Sequence, residues 1–352
     1  MAIFIFSNNK QRMNNKYLYD MKHLRKLLCI FLLALCICPQ AMAQQKFLTL
    51  DDINIRDPFI LPVEEEGVYY MYSSSSVKEN GKTFGGVVAY KSKDLKNWEA
   101  PIRVFDVPRD NYLTGTVWAP EVHKYNGKYY LFATLNSDIK WKGDWEGHPV
   151  FTHRATQIFW SEKPEGPFLP FENKLPHTPI GEMCLDGTLW VENSVPYMIY
   201  CHEWVEVMDG EMEIVRLKED LSEPVGKNIR LFSASAAKWS TGSGNGPAKT
   251  RTYVTDGCFL YRTKTGKLLM IWSSFRNGSY AVGIAESATG KVLGPWIQQE
   301  NLIFEENGGH GMIFKSFGGK LHIVLHAPNS PGGAERARLF ELEDLGHTLK
   351  RK

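Results

Sequence analysis

The sequence predicts an all-β fold, a five-bladed β-propeller of four-stranded antiparallel blades, on three observations. After residue 43 no stretch carries a sustained apolar stripe at three-to-four spacing, so helices are not expected. Short β-branched and aromatic runs bounded by Gly, Asn, Asp and Pro recur instead. These runs form a repeating unit, and each unit opens on a polar residue at a strand start.

The units are read as follows. Asp57-Pro58-Phe59-Ile60 leads to Gly67-Val68-Tyr69-Tyr70, and Glu121-Val122-His123 to Gly127-Lys128-Tyr129-Tyr130. Asp186-Gly187-Thr188 leads to Pro196-Tyr197-Met198, Asp256-Gly257-Cys258 to Gly266-Lys267-Leu268, and His310-Gly311-Met312 to Gly319-Lys320-Leu321. Asn126-Gly127 and Thr265-Gly266 are hairpin turn dipeptides. Outer hairpins of similar grammar follow in most units, such as Val87–Tyr90 before Asn97-Trp98 and Tyr280–Ala285 before Pro295-Trp296. Five units of four strands make a propeller with five blades. A sandwich with decorated hairpins is the rival, and it does not explain a polar residue in the same slot of every unit. In a propeller that slot lies at the rim of the central channel, so Asp57, Glu121, Asp186, Asp256 and His310 are expected to converge. Carboxylates brought together in this way repel one another unless the site uses them for catalysis or for a cation.

Composition narrows the function. The hydrophobic fraction of 43% and charged fraction of 23% are those of an ordinary globular protein. A net charge of +2, with no basic run interleaved with aromatics, argues against nucleic acid. Aromatics at 12% suit the flat faces of sugars, although β cores are also aromatic-rich.

Residues 1–43 read as an N-terminal extension and a secretory signal. Met21–Lys26 is basic, Leu27–Cys38 is apolar and too short for a membrane span, and Ala41-Met42-Ala43 places cleavage after Ala43. The remainder, 44–352, is expected to be one propeller, secreted or periplasmic and monomeric. It keeps Cys184, Cys201 and Cys258, an odd number set in apolar runs, which reads as buried thiols rather than a disulfide framework.

Arg56-Asp57-Pro58, Val117-Trp118-Ala119-Pro120-Glu121-Val122, Leu185-Asp186-Gly187 and Gly309-His310-Gly311 resemble, in their order and spacing, glycoside hydrolase family 43, the five-bladed arabinofuranosidases, xylosidases and arabinanases. The resemblance spans roughly residues 50–330. It implies inverting hydrolysis of arabinofuranosyl or xylosyl linkages in hemicellulose or pectin, with release of terminal sugars expected. One carboxylate activates water, an acid protonates the leaving oxygen, and a third carboxylate tunes that acid. Asp57 matches the base and Asp186 the tuning residue. The acid is where this chain departs, because Asp256-Gly257-Cys258 stands where the family carries Glu-Gly-Pro. Glu203, in Cys201-His202-Glu203-Trp204, competes for the role, and reach and placement favour it over Asp256.

Plainer readings stand beside these. Asp57 and Asp186 are also turn residues before Pro58 and Gly187, and Glu121 is also a candidate partner for Lys124 or Arg56. Trp118, Trp204, Glu121, His202 and His310 are candidate substrate contacts. No cofactor is required. The resemblance makes a calcium ion at the propeller centre, held indirectly through His310, a further candidate, although calcium prefers oxygen ligands. A non-catalytic carbohydrate-binding propeller is the alternative. A retaining, sucrose- or fructan-cleaving propeller is disfavoured.

Overall fold

The computed structural model describes residues 46–140, 151–244, 246 and 249–352; the expected leader, residues 1–43, lies outside them. Five antiparallel sheets of four strands follow one another in chain order. Blade 1 comprises β1 (Phe59–Val63), β2 (Val68–Glu79), β3 (Lys82–Ser92) and β4 (Ile102–Asp106). Blade 2 has β5 (Val117–Tyr125), β6 (Lys128–Lys140), β7 (Thr152–Ser161) and β8 (Leu169–Pro170). Blade 3 has β9 (Cys184–Glu192), β10 (Val195–His202), β11 (Glu211–Leu217) and β12 (Pro224–Ser233). Blade 4 has β13 (Asp256–Arg262), β14 (Leu268–Arg276), β15 (Ser279–Ser287) and β16 (Trp296–Gln298). Blade 5 has β17 (Gly309–Lys315), β18 (Leu321–Ala327), β19 (Arg336–Asp344) and β20 (Leu349–Arg351). The propeller expected from the repeat is the fold observed.

The middle strands of each blade are near-continuous apolar runs because both of their faces are covered. Leu268–Trp272 of β14, for example, is fully buried. The apolar clusters lie between blades rather than within them. Leu185, Ile199 and Met212 of blade 3 meet Cys258, Met270 and Trp272 of blade 4, and Ile271 and Ile284 of blade 4 meet Ile313 and Ile323 of blade 5. Cys184, Cys201 and Cys258 are free, buried thiols in this packing. The Asn126-Gly127 hairpin has both residues left-handed, at φ 47° and 79°, as a type I′ turn requires.

The ring closes through the segment before β1. Ile55 N–H donates to the Glu335 carbonyl (3.2 Å), and the Asn54 amide donates to the carbonyls of Gly333 (2.8 Å) and Glu335 (3.1 Å). Arg336 returns the contact, its Nε donating to the Asp51 carbonyl at 2.8 Å. The first blade is thereby pinned to β19 of the last.

The rim slot differs from the sequence reading in two blades. A residue with positive φ marks the start of each inner strand: Asp57 (52°), Ala119 (40°), Asp186 (57°), Gly257 (50°) and His310 (52°). In blades 2 to 5 the pairing register slips at this point, the mark of a β-bulge. Ala119 therefore holds the slot expected for Glu121, and Gly257 the slot expected for Asp256. Glu121 sits two residues further along β5, opposite Phe132, and Asp256 one residue earlier, opposite Ser273. The bulge fixes this register, and a residue count from the hairpin turns does not register it.

Gly257 has a second reason to lack a side chain. A Cβ there would lie 2.7 Å from His310 Cγ and 2.8 Å from its Cα. Gly257→Ala is expected to lower stability by at least about 1 kcal/mol from the left-handed backbone alone. Urea unfolding checks this, and a variant as stable as the parent would remove the steric reading of the slot.

Candidate active site

The rim residues open into a cavity of about 730 Å³ lined by Asp57, Asp186, Glu203, Asp256 and His310 together with Trp118, Trp204, Arg56 and Tyr280. Gly242 and Ser243, from the loop before blade 4, also border it.

Neighbouring blades hold the rim backbone in place. Asp186 N–H donates to Thr134 Oγ1 (2.8 Å), Gly257 N–H to Asp186 Oδ2 (3.1 Å) and His310 N–H to Ser273 Oγ (2.8 Å). Asp57 N–H points at His326 Nδ1, 3.3 Å away. In each case the acceptor belongs to the preceding blade, so the positions of the carboxylates follow from the packing of whole sheets.

His310 is the centre of charge. Its Nδ1 lies 3.3 Å from Asp57 Oδ1 and 3.6 Å from Asp186 Oδ2. Burial disfavours the imidazolium, but Asp57, Asp186, Asp256 and Glu121 outweigh it and raise the pKa of His310. Asp57 responds in the opposite direction from the other acids. Burial raises its pKa, yet His310, His326 and Arg56 together hold it below the usual carboxylate range. Asp186 is raised chiefly by burial; His310 lowers it and Asp256 and Asp57 raise it further. Asp256 is also raised, first by burial, with Asp57 adding and His310 and the Tyr280 hydroxyl opposing. That hydroxyl donates to Asp256 Oδ2 at 2.9 Å.

Glu203 stands slightly apart, at the N-terminus of the short helix Trp204–Val207. Burial raises its pKa, while an ion pair with the Arg154 guanidinium opposes the rise. Arg154 also donates to Asn136 Oδ1 at 2.6 Å and lies 4.0 Å over the Trp118 ring. Trp118 remains 43% exposed, a platform at the cavity edge.

Two expected substrate contacts are placed elsewhere. Glu121 is buried and takes a hydrogen bond from His123 Nε2 at 2.8 Å, not from Lys124 or Arg56. His202 is buried, and both of its ring nitrogens face carboxylates: Nε2 to Glu206 at 3.0 Å, and Nδ1 to Glu213 at 3.4 Å and Glu182 at 3.9 Å. Neither residue is among those lining the cavity. His310 Nδ1 already occupies the space between the Asp57 and Asp186 carboxylates, and nitrogen is a poor partner for calcium, a cation that takes six to eight oxygens.

The sequence reading missed Tyr280, His326 and Arg154. All three come from second or third strands, in β15, β18 and β7. The repeat was aligned on first strands. Aligning the ends of second strands would have set Thr134, Ser273 and His326 side by side as the only available signal.

A five-bladed propeller with buried carboxylates of opposite electrostatic bias at one end of its channel has the parts of an acid–base hydrolase. Residues 52–348 match the model of glycosyl hydrolases family 43, and the chain belongs to that family; it is a glycoside hydrolase. The crystal structure of an endo-arabinase from Bacteroides thetaiotaomicron VPI-5482 is 38% identical, with a TM-score of 0.73, over 85% of this chain and 98% of that one. An endo-1,4-β-xylanase of the same organism shares the fold at 22% identity and a TM-score of 0.65, over 87% of this chain and 97% of that one. The extracellular endo-α-(1→5)-L-arabinanase 1 of Bacillus subtilis strain 168 is 28% identical over 103 residues, which span 28% of this chain and 30% of that relative. No helix among the described residues is long and apolar enough to cross a membrane.

Because Asp186 is raised from 3.8 to about 8, the folded state keeps a proton that the unfolded chain releases across that window. Stability from this group is full below the lower value and is lost as pH rises towards the upper one. Asp186→Asn is expected to melt higher than the parent at pH 7 and equally at pH 4. A thermal-melt series across that range checks the sign, and a gap that does not widen with pH would contradict it.

Proposed function

We propose that this protein is an inverting hydrolase of arabinofuranosyl linkages in arabinan-type plant polysaccharide, with Asp57 as base, Asp256 as acid and Asp186 tuning the acid. The observation that carries this reading is the opposite treatment of neighbouring carboxylates. Asp57 is surrounded by His310, His326 and Arg56 and held ionised, while Asp186 and Asp256 are pushed towards their protonated forms. An ionised carboxylate takes a proton from water; a protonated one gives a proton to the departing oxygen.

Asp256 is preferred to Glu203, the reverse of the expectation from reach. Asp256 raises the pKa of Asp186, and Gly257 N–H, the next residue of that strand, donates to Asp186. Burial raises both groups and the leading charge opposes the rise in each, His310 for Asp256 and Arg154 for Glu203, but Glu203 is committed to a buried ion pair with Arg154. Asp256 also lies one residue before the bulge residue of β13 and lines the cavity beside Asp57 and Asp186. Glu203, held by Arg154, and Trp118 are assigned to contact with the sugar chain, and Trp204 and His310 face the same cavity.

Arabinan is preferred to xylan because the 38% identical Bacteroides structure is described as an endo-arabinase and the Bacillus relative as an endo-arabinanase. Internal cleavage follows the same relatives in place of the terminal release expected from sequence. The extracellular relative supports action outside the cytoplasm.

Asp57→Asn is expected to lower turnover of linear arabinan by 10³-fold or more, with the parent fold retained. Asp256→Asn should lose about 10²–10⁴-fold on arabinan but far less on a 4-nitrophenyl arabinofuranoside, whose leaving group needs little protonation. Glu203→Gln should weaken both substrates alike. If Glu203→Gln shows the leaving-group dependence and Asp256→Asn does not, the two acids exchange roles. NMR of the first anomer released tests inversion. A parent enzyme that binds arabinan without cleaving any glycoside would instead be the carbohydrate-binding alternative.

A further inference from the structure

Each rim N–H in blades 1, 3 and 5 points to the end of the second strand of the blade before it. Two of those positions hold small hydroxyls, Thr134 and Ser273. The third, behind Asp57, holds His326. The three are equivalent by register: Thr134 pairs with Trp118, Ser273 with Asp256 and His326 with Gly309, each the residue just before the bulge residue of its own blade. Holding the backbone therefore requires no more than a hydroxyl. An imidazole is larger, is fully buried here, and reaches one atom further, with Nδ1 3.1 Å from Asp57 Oδ1.

The ring is itself fixed. Nε2 donates to Asn329 Oδ1 at 3.2 Å, and the same oxygen accepts from Arg56 Nη2 at 2.6 Å, so it is an acceptor and Nε2 carries a proton. One face of the ring stacks on Tyr280, with centroids 5.7 Å apart at 20°. Tyr280 in turn holds Asp256. Nδ1 lies 3.3 Å from the Asp57 N and 3.1 Å from Asp57 Oδ1; it accepts the N–H as a neutral ring and donates to Oδ1 as an imidazolium, the contact that lowers the Asp57 pKa. His310 Nδ1 (3.3 Å) and Arg56 Nε (3.9 Å) approach Oδ1 as well. The closest approach of all three cations is to Oδ1 rather than Oδ2.

We propose that His326 is a positioning residue for the base: with Asn329 behind it, it pins Oδ1 of Asp57 so that Oδ2 alone faces the water to be deprotonated. This rests on the reading of Asp57 as base. A carboxylate free to turn about its last torsion would present either oxygen, and misplacement by about 1 Å costs on the order of 10²-fold in rate.

The test uses the complete protein and linear arabinan. His326→Ser supplies the hydroxyl that blade 4 uses in the same place and removes the contact to Oδ1. It is expected to fold, to lose about 10²-fold in kcat with KM within about twofold, and to move the acidic limb of the kcat/KM profile to higher pH. His326→Asn, whose amide N–H overlays Nδ1, should restore most of the rate. Asn329→Ala leaves His326 in place and should show a smaller loss in the same direction; it serves as the readout if the His326 variants do not fold. A folded His326→Ser, or failing that Asn329→Ala, with parent kcat and an unmoved acidic limb overturns the proposal. If Asp57→Asn is inert while His326 proves dispensable, only this proposal falls. A parent enzyme inert on every glycoside takes the reading of the site with it.

Discussion

Three carboxylates that would repel one another are held around one imidazole, and the geometry of the rim follows from that constraint. His310 places a single nitrogen between Asp57 and Asp186. A lone positive charge cannot satisfy three buried acids, so the balance among them becomes unequal. Asp57 receives further help from Arg56 and His326, whereas Asp186 receives a backbone N–H and the repulsion of two neighbours. The division of labour between base and acid is thus set by which blade supplies additional donors.

The donors are delivered by sheet packing. A left-handed residue at each inner-strand start turns the chain at the rim, and a side chain of the preceding blade receives its N–H wherever a rim hydrogen bond is identified. Holding a rim residue therefore requires two blades and the apolar interface between them. This ties the fine geometry of the site to clusters such as Trp272 with Met212 and Phe232, which do not line the cavity.

Much of this was legible in the sequence because hairpin grammar is local. Turn dipeptides, aromatic strands and a polar residue at each strand start are contiguous features, and they located all five blades and Asp57, Asp186 and His310. The errors arose where position depends on register. Glu121 and Asp256 fall beside the slot because a bulge inserts one residue; in blade 2 the left-handed residue is Ala119, which gives no sign of it in sequence, and in blade 4 it is Gly257. His202, a candidate substrate contact from its place beside Glu203, is instead buried among Glu206 and Glu213, partners reached through a helical turn and a strand pairing. His326 and Tyr280 were invisible for the same reason: their relevance lies in what the neighbouring blade presents to them.

The seam of the ring has a consequence for how the molecule comes to work. Asp57, the proposed base, sits at the junction of first and last blades, and its contact to His326 joins residues 269 apart in sequence. Asp57 has its full set of neighbours only when the fifth blade has docked against the segment 51–56. A chain with four blades formed would carry most of the cleft, including Asp186, Asp256 and Glu203, and still lack a poised base. Topological closure therefore completes the surroundings of Asp57, and an incompletely assembled molecule would lack them.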